Sequence, residues 1–477
     1  METNILFENA RNIAALIQSK QLSVREVVEA HLKQIEAINP KVNAIVSLDA
    51  EAALEEADRR DEQLAKNERV GRLHGIPIAI KDTHHAKGFP TTYGSTVFKD
   101  YYPDRDEILV ERLRAAGAII IGKTNVPEFA AGAHTFNNVF GVTRNPYNLN
   151  RTAGGSSGGA AVAVATGMIP LADGSDFGGS CRFPAAFNNV VGLRTSPGRV
   201  PIEEKKALYS PLNVHGPIAR TVEDVAFMLS VIAGPDVRSP LSIEESGDMF
   251  LSPLEIDMRG LKIAWSSDLG GSLLVDRDVK ETFEKQVKIF ADLGCHLEED
   301  WPDLSDANYV FQTLRAFEME LTYADILDRH EAELKPSFVW NLKKGRELKG
   351  TDIGKAERIR QQLYHRVRAF FEKYDAFVLP VSQVPPFPIE WEYPQHINGV
   401  KVENYIDWVR SCSDISALGT PALSVPAGFT PDGLPFGMQI VGPYRGDFKV
   451  LQIGYAFEQA TNYAKIRPSL LEKSKKE

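Results

Sequence analysis

The spacing of apolar side chains along the chain changes period several times, and each change marks an element. From Val24 the apolar positions Val27, Val28, Leu32 and Ile35 fall three or four residues apart, which is one face of a helix. Ser23 with Glu26 forms a capping box at its start, and Asn39-Pro40 predicts its end. A second amphipathic stretch, rich in Ala and Glu, runs over 49–64, so the first seventy residues read as helical. Short β-branched runs follow: 75–80, ending in Lys81-Asp82, and 118–121, after a helix over 107–116 closed by Gly117. Similar runs recur at 190–193, 261–264, 376–379, 422–425 and 438–441, with helical patterns at 221–233, 279–293 and 448–459. Residues 304–400 are mainly helical in pattern, then rich in Pro and aromatics. Helices interleaved with short apolar strands predict an α/β layer structure around a largely buried sheet. No internal repeat, low-complexity tail or Gly/Ser linker divides the 477 residues, so a single large domain is expected.

Composition narrows the class of protein. With 54 Lys+Arg against 64 Asp+Glu the formal charge is −10, which argues against a nucleic-acid partner. A chain of 477 residues that is 43% hydrophobic buries a core without a disulfide or metal staple. Cys181, Cys295 and Cys412 are odd in number and far apart, so a reduced compartment is the simplest reading. Met1 to Asn12 lacks the apolar core of a signal peptide. The most apolar run, 158–172, is broken by Thr166, Gly167 and Pro170, short of the ~18 residues of a membrane span. A cytoplasmic protein without a membrane partner is expected.

Three pattern matches fail on physical grounds. Gly117 to Thr124 satisfies the phosphate-binding P-loop spelling, but its four intervening residues are one Ala and three Ile. That is a strand composition, unsuited to wrapping backbone N–H groups around a phosphate. Gly154-Gly-Ser156-Ser-Gly158 satisfies the nucleophile-elbow spelling, yet a polar loop precedes it where that elbow needs an apolar strand. His84 and His85 are adjacent, so in an extended segment they face opposite ways; no histidine shows metal-ligand spacing, and no metal or other cofactor is expected.

The chemically informative stretch lies between Gly154 and Pro184. It holds two Gly-flanked serine clusters separated by an Ala/Val helix and an apolar strand. Phe177-Gly178-Gly179-Ser180 suits a tight turn that presents successive backbone N–H donors to one point, an oxyanion hole. Ser180 at the end of that nest is placed to attack a carbonyl whose oxygen those donors hold. Gly/Ser loops that merely cap helices fit the same spacing. A serine nucleophile needs a base, and no histidine is near in sequence. Lys81, at the end of an apolar strand, is the candidate, because burial against Ile side chains favours the neutral amine.

On these residues the sequence resembles the amidase signature enzymes. The run from Gly154 to Pro184 is similar to the family's signature nearly position by position. Leu73 to Asp82, Gly122-Lys-Thr-Asn125, Gly216 to Val222 and Gly419-Thr-Pro-Ala422 resemble further landmarks. The likeness is strong over about 5–240, moderate over 410–460 and poor over 245–400. It implies an α/β fold: one domain over 1–477 with a mixed, twisted central sheet and helices on both faces. Within it, 1–70 is helical, 71–240 the catalytic core, 241–405 a variable substrate-side region and 406–477 the strands and helix that complete the core.

The resemblance implies a Ser–cisSer–Lys triad in which Ser180 is the nucleophile, Ser156 the bridging serine after a cis peptide, and Lys81 the base. It puts the backbone N–H groups of Phe177, Gly178, Gly179 and Ser180 on the oxyanion hole, with Ser157, Ser175, Asp176 and Arg182 in support. Cys181 stands where an aliphatic residue is usual, and Ser175 where Thr is. Asp176 and Arg182 read as a buried pair steadying the Ser180 loop, with Arg182 touching substrate as the alternative. The implied activity is hydrolysis of a linear, small-molecule carboxamide without a cofactor; a homodimer is left open. The alternative is the glutaminase component of a transfer-RNA-dependent amidotransferase. Residues 192–201 and Asn213 depart from what that branch is expected to carry. The aromatics Phe311, Phe317, Phe338, Trp340, Trp391 and Tyr393 are candidates for an acyl pocket or for core.

Overall fold

The computed structural model describes residues 5–203 and 207–473, so Met1 to Asn4 of the N-terminal reading lie outside it. Eleven strands form one mixed sheet. In chain order they are β1 (Ile45–Leu48), β2 (Pro77–Lys81), β3 (Ile119–Thr124), β4 (Leu171–Asp176), β5 (Val191–Arg194), β6 (Val214–Ala219), β7 (Lys262–Trp265), β8 (His296–Glu299), β9 (Ala376–Pro380), β10 (Ala422–Phe429) and β11 (Pro435–Val441). Across the sheet their order is β1-β3-β2-β4-β6-β5-β10-β11-β9-β7-β8. β2 runs parallel to β3 and β4, and β7 parallel to β8 and β9; the other pairings are antiparallel. Helices flank the sheet, and the whole is a single large α/β domain.

Every residue of β2, β3, β4, β5, β6, β9 and β11 is buried, which explains why the legible strands were continuous apolar runs rather than alternating ones. Edge strand β8 is mostly exposed and polar, and β6 carries His215, Gly216 and Pro217 in its interior. Neither shows the apolar run of a strand, so neither is legible in the sequence, and β1 interrupts the first seventy residues that read as helical.

Local signals act as the pattern predicts at most ends. Ser23 caps the helix Val24–Val42 with the reciprocal Glu26 bond in place, and Asp49 caps Ala50–Ala65. The first of these does not stop at Asn39-Pro40 but carries Pro40 within its last turn. Its end is instead closed by Asn43 at φ 54°, while the Asn39 side chain accepts the N–H groups of Ala44 and Ile45 at 2.9 Å. These bonds offset the one that proline omits. The pattern over 279–293 is two helices, Arg277–Gln286 and Ile289–Asp292. The P-loop spelling falls largely on β3, an extended strand, as its isoleucines require. The polar segment before Gly154 pairs with itself as a short ladder, Arg144–Asn145 with Asn148–Thr152.

All three cysteines are free and buried. Among the described residues no helix is long and apolar enough to cross a membrane.

Candidate active site

Register builds the site. β2 lies parallel to β4 with Ile78 opposite Leu171 and Ala79 opposite Ala172, which carries Lys81 to the end of β4 that holds Ser175 and Asp176. The helix Gly158–Ala165, all of whose residues are buried, packs across β2, β3, β4 and β6 and brings Ser156 and Ser157 to the same place. The two serine blocks meet where the Ser157 N–H donates to the Ser180 carbonyl at 3.2 Å. The Gly155–Ser156 peptide is cis.

Lys81 is fully buried, and its Nζ lies 2.8 Å from Ser156 Oγ, 2.8 Å from Ser157 Oγ and 2.9 Å from Ser175 Oγ. Burial lowers its pKa to about 8, although the charges of Asp173 and Asp176 pull the other way. Roughly a tenth of the amine is then neutral at pH 7, held within reach of a hydroxyl. Ser180 is half-buried and borders a cavity of about 150 Å³ that Ser156 and Ser175 also line. A larger cavity of about 490 Å³ near Tyr147 and Arg220 holds none of these groups.

The turn 177–180 is fixed by its neighbours. Gly179 has φ +122°, and a Cβ there would lie 2.4 Å from the Phe183 ring; one on Gly178 would lie 2.7 Å from Phe311. The Gly179 N–H donates to Asp176 Oδ1 at 2.8 Å and the Cys181 N–H to Asp176 Oδ2 at 3.1 Å. The expected oxyanion donors therefore reduce to the N–H groups of Phe177, Gly178 and Ser180, with Gly179 engaged in holding the turn.

Asp176 and Arg182 are both fully buried and paired, Nη2 to Oδ1 at 2.9 Å and Nε to Oδ2 at 3.0 Å. Arg194 adds a contact to Oδ1 at 3.2 Å. Burial alone would raise the Asp176 pKa, but Arg182, Arg194 and the Gly179 N–H outweigh it and hold the carboxyl well below its usual range. The rest of the Arg182 guanidinium is taken by Gln439, Ser416 and the Cys412 carbonyl. It braces the turn and does not line the cavity. Burial pushes the Cys181 thiol up, away from the thiolate a nucleophile needs.

None of the six aromatics named from sequence lines this cavity. Phe311 and Phe338 are core residues standing behind lining rings, Phe311 against Phe177 and Phe338 against Phe129. Trp391 is 45% exposed, and Trp340 belongs to a separate groove. The lining rings are Tyr93, Phe129, Phe177 and Tyr323, from four different segments. The cavity is also more polar than expected, since His84, Glu107, His215 and Arg315 border it. Asp173 was missed altogether: Oδ1 accepts the Lys81 backbone N–H at 3.0 Å, and Oδ2 lies 2.5 Å from His84 Nδ1. No local signal marks these groups as one site, because they come from separate segments that only strand register and packing bring together.

With this geometry established, comparison with known proteins identifies the family. A sequence profile described as Amidase matches residues 26–451. The chain belongs to the amidase signature family. The match includes the stretch 245–400 that motif reading leaves uncovered. An acylamidase of Rhodococcus erythropolis is 36% identical over 474 residues, 98% of each chain. A glutamyl-tRNA(Gln) amidotransferase subunit of Geobacillus stearothermophilus is 35% identical over 98% of this chain and 100% of its own. Among solved structures, a bacterial aryl acylamidase superposes with a TM-score of 0.90 at 30% identity, covering 96% of this chain and 98% of that one. The peptide amidase of Stenotrophomonas maltophilia gives 0.82 at 28% identity, covering 96% and 97%. The protein is thus an amidase-signature hydrolase, built on the fold its signature implies.

Proposed function

We propose that this chain is a free-standing amidohydrolase that cleaves a small linear carboxamide to a carboxylate and ammonia or an amine. The observation that carries the reading is a fully buried lysine whose amine lies 2.8 Å from Ser156 Oγ, with its pKa drawn down to about 8. Neutral Lys81 accepts the Ser156 proton as Ser156 accepts that of Ser180, and Ser180 Oγ attacks the amide carbon. The developing oxyanion is held by the N–H groups of Phe177, Gly178 and Ser180. Collapse of the tetrahedral intermediate breaks the C–N bond, and the relay returns the proton to the departing nitrogen. Water then attacks the acyl ester on Ser180 along the same route, which regenerates the hydroxyl. The scheme takes place in the cytoplasm and involves no nucleic acid.

The likeness to the glutamyl-tRNA(Gln) amidotransferase chains supports a second reading, a glutaminase that works only within a complex. Asn213, which borders the cavity, favours the first, since that branch is expected to carry Asp there. Incubating the purified chain with aliphatic and aryl amides separates them. Release of amine or ammonia by the chain alone supports the hydrolase; activity restricted to glutamine and to added partner chains overturns it. A fluorophosphonate should label Ser180, and Ser180→Ala should abolish labelling. An adduct mapped to Ser157 or Cys181 overturns the assignment of the nucleophile.

A further inference from the structure

Beside the serines, three side chains from distant segments converge in the cavity wall without a part in the relay. His84 follows β2 by three residues, Glu107 precedes the helix Ile108–Ala115, and His215 lies on β6 opposite Ser175 of β4. All three are buried, at 3%, 4% and 4% exposure. One nitrogen or oxygen from each lies within 4.8 Å of the other two. Glu107 Oε1 stands 3.7 Å from Nδ1 of both histidines, whose rings are 4.2 Å apart. Bonds of about 2.0–2.1 Å around a tetrahedral ion imply ligand separations of roughly 3.4 Å, and the distance from Glu107 Oε1 to His215 Nδ1 exceeds that by a few tenths of an ångström.

The hydrogen bonding sharpens the case. His84 Nδ1 is 2.5 Å from Asp173 Oδ2, so its N–H points there and the free lone pair sits on Nε2. Among the described residues, His84 Nε2 and Glu107 Oε1 are buried without a hydrogen-bond donor. Buried acceptors in that condition call for an electrophile. Two imidazoles and a carboxylate are the donor set of Zn²⁺ and similar first-row ions, and a carboxylate behind one histidine is the usual means of orienting such a ligand. A substrate ammonium would satisfy the same acceptors but has no use for an imidazole pair backed by a carboxylate.

We infer that His84, Glu107 and His215 form a binding site for a divalent transition-metal ion in the wall of the catalytic cavity, with Asp173 orienting His84. Three protein ligands leave a coordination position open. Because all three residues line the cavity that Ser180 borders, that position is available to a donor atom of a molecule held there.

Titrating the chelator-treated full chain with Co²⁺ and with Zn²⁺ tests the site. Saturable visible d–d absorption reaching one ion per chain, displaced by Zn²⁺, is expected. Glu107→Gln, close in shape to the native residue, and His215→Ala should each weaken Co²⁺ affinity by more than tenfold. Asp173→Asn should weaken it roughly 10–100-fold. Circular dichroism and thermal unfolding report whether each variant is folded, and Glu107→Gln carries the test if His215→Ala is not. Absence of saturable Co²⁺ absorption in the parent chain, or undiminished binding in folded Glu107→Gln, overturns the inference. The readout involves no turnover, so its failure and the failure of the amidohydrolase reading are separate results.

Discussion

At the scale of single residues, the proposed relay depends on one uncharged amine and one charged carboxylate within the same buried region. Lys81 has hydroxyls rather than carboxylates as its near neighbours, so burial controls its pKa, which falls to about 8. The base must be neutral to accept a proton. Below about pH 8 the protonated fraction grows, and kcat/KM should fall by about tenfold per pH unit. Above it the rate should level off. A pH profile of kcat/KM that is flat from pH 6 to pH 9 would remove Lys81 as the base. Lys81→Ala, measured at any pH in that range, should lose most activity while retaining its thermal transition.

Asp176 is the opposite case. It is buried as deeply, but two arginines keep it ionised, and its two oxygens accept the N–H groups that shape the turn carrying Ser180. Arg182→Met leaves that carboxylate with Arg194 alone. Breaking a buried pair costs about 3–5 kcal/mol, and with Arg194 remaining the lower end, about 3 kcal/mol, is expected from denaturant unfolding. An unchanged midpoint would mean that Arg182 does not brace the loop.

At the scale of elements, turns and caps separate activity from stability. The 177–180 turn accepts no side chain at Gly179, where φ is +122° and Phe183 and Cys412 close the space. Gly179→Ala should displace the neighbouring donors, and loss of even one costs roughly 10²–10³ in kcat. Steady-state kinetics on the folded variant measure this; a fall of less than tenfold would mean that the turn tolerates the shift. The capping box far from the site behaves differently. Ser23→Ala should lower unfolding stability by about 1 kcal/mol with kcat unchanged, since it removes one cap bond from the helix Val24–Val42. The same helix shows the reach of local signals: its start obeys Ser23 and Glu26, while its end overrides Pro40 because the Asn39 side chain accepts from Ala44 and Ile45 and Asn43 takes a left-handed conformation.

At the scale of the whole molecule, strand order ties distant segments into one cooperative unit. β10 and β11, from the last quarter of the chain, sit mid-sheet between β5 and β9. They also back the site, because Gln439 of β11 receives Arg182. A chain ended before residue 406 would leave β5 and β9 unpaired along one edge each. It should fail to give a cooperative thermal transition, whereas the full chain should unfold in one step; a folded, soluble truncation would show that 406–477 is dispensable.

The sequence by itself determined the α/β class, most of the buried strands, the capped helices and the serine, glycine and lysine positions that the catalytic proposal rests on. These are properties of short windows: an apolar run, a cap, a glycine-flanked serine, a lysine at a strand end. Only the tertiary structure decided what surrounds them. Asp173 beneath Lys81, the aromatic rings that line the cavity, and the meeting of His84 with Glu107 and His215 all arise from strand register and helix packing. Such a residue carries, in its own segment, no signal of the partner it meets. Its partners lie tens to hundreds of residues away, and a period of two or 3.6 residues holds no information about which segments will touch.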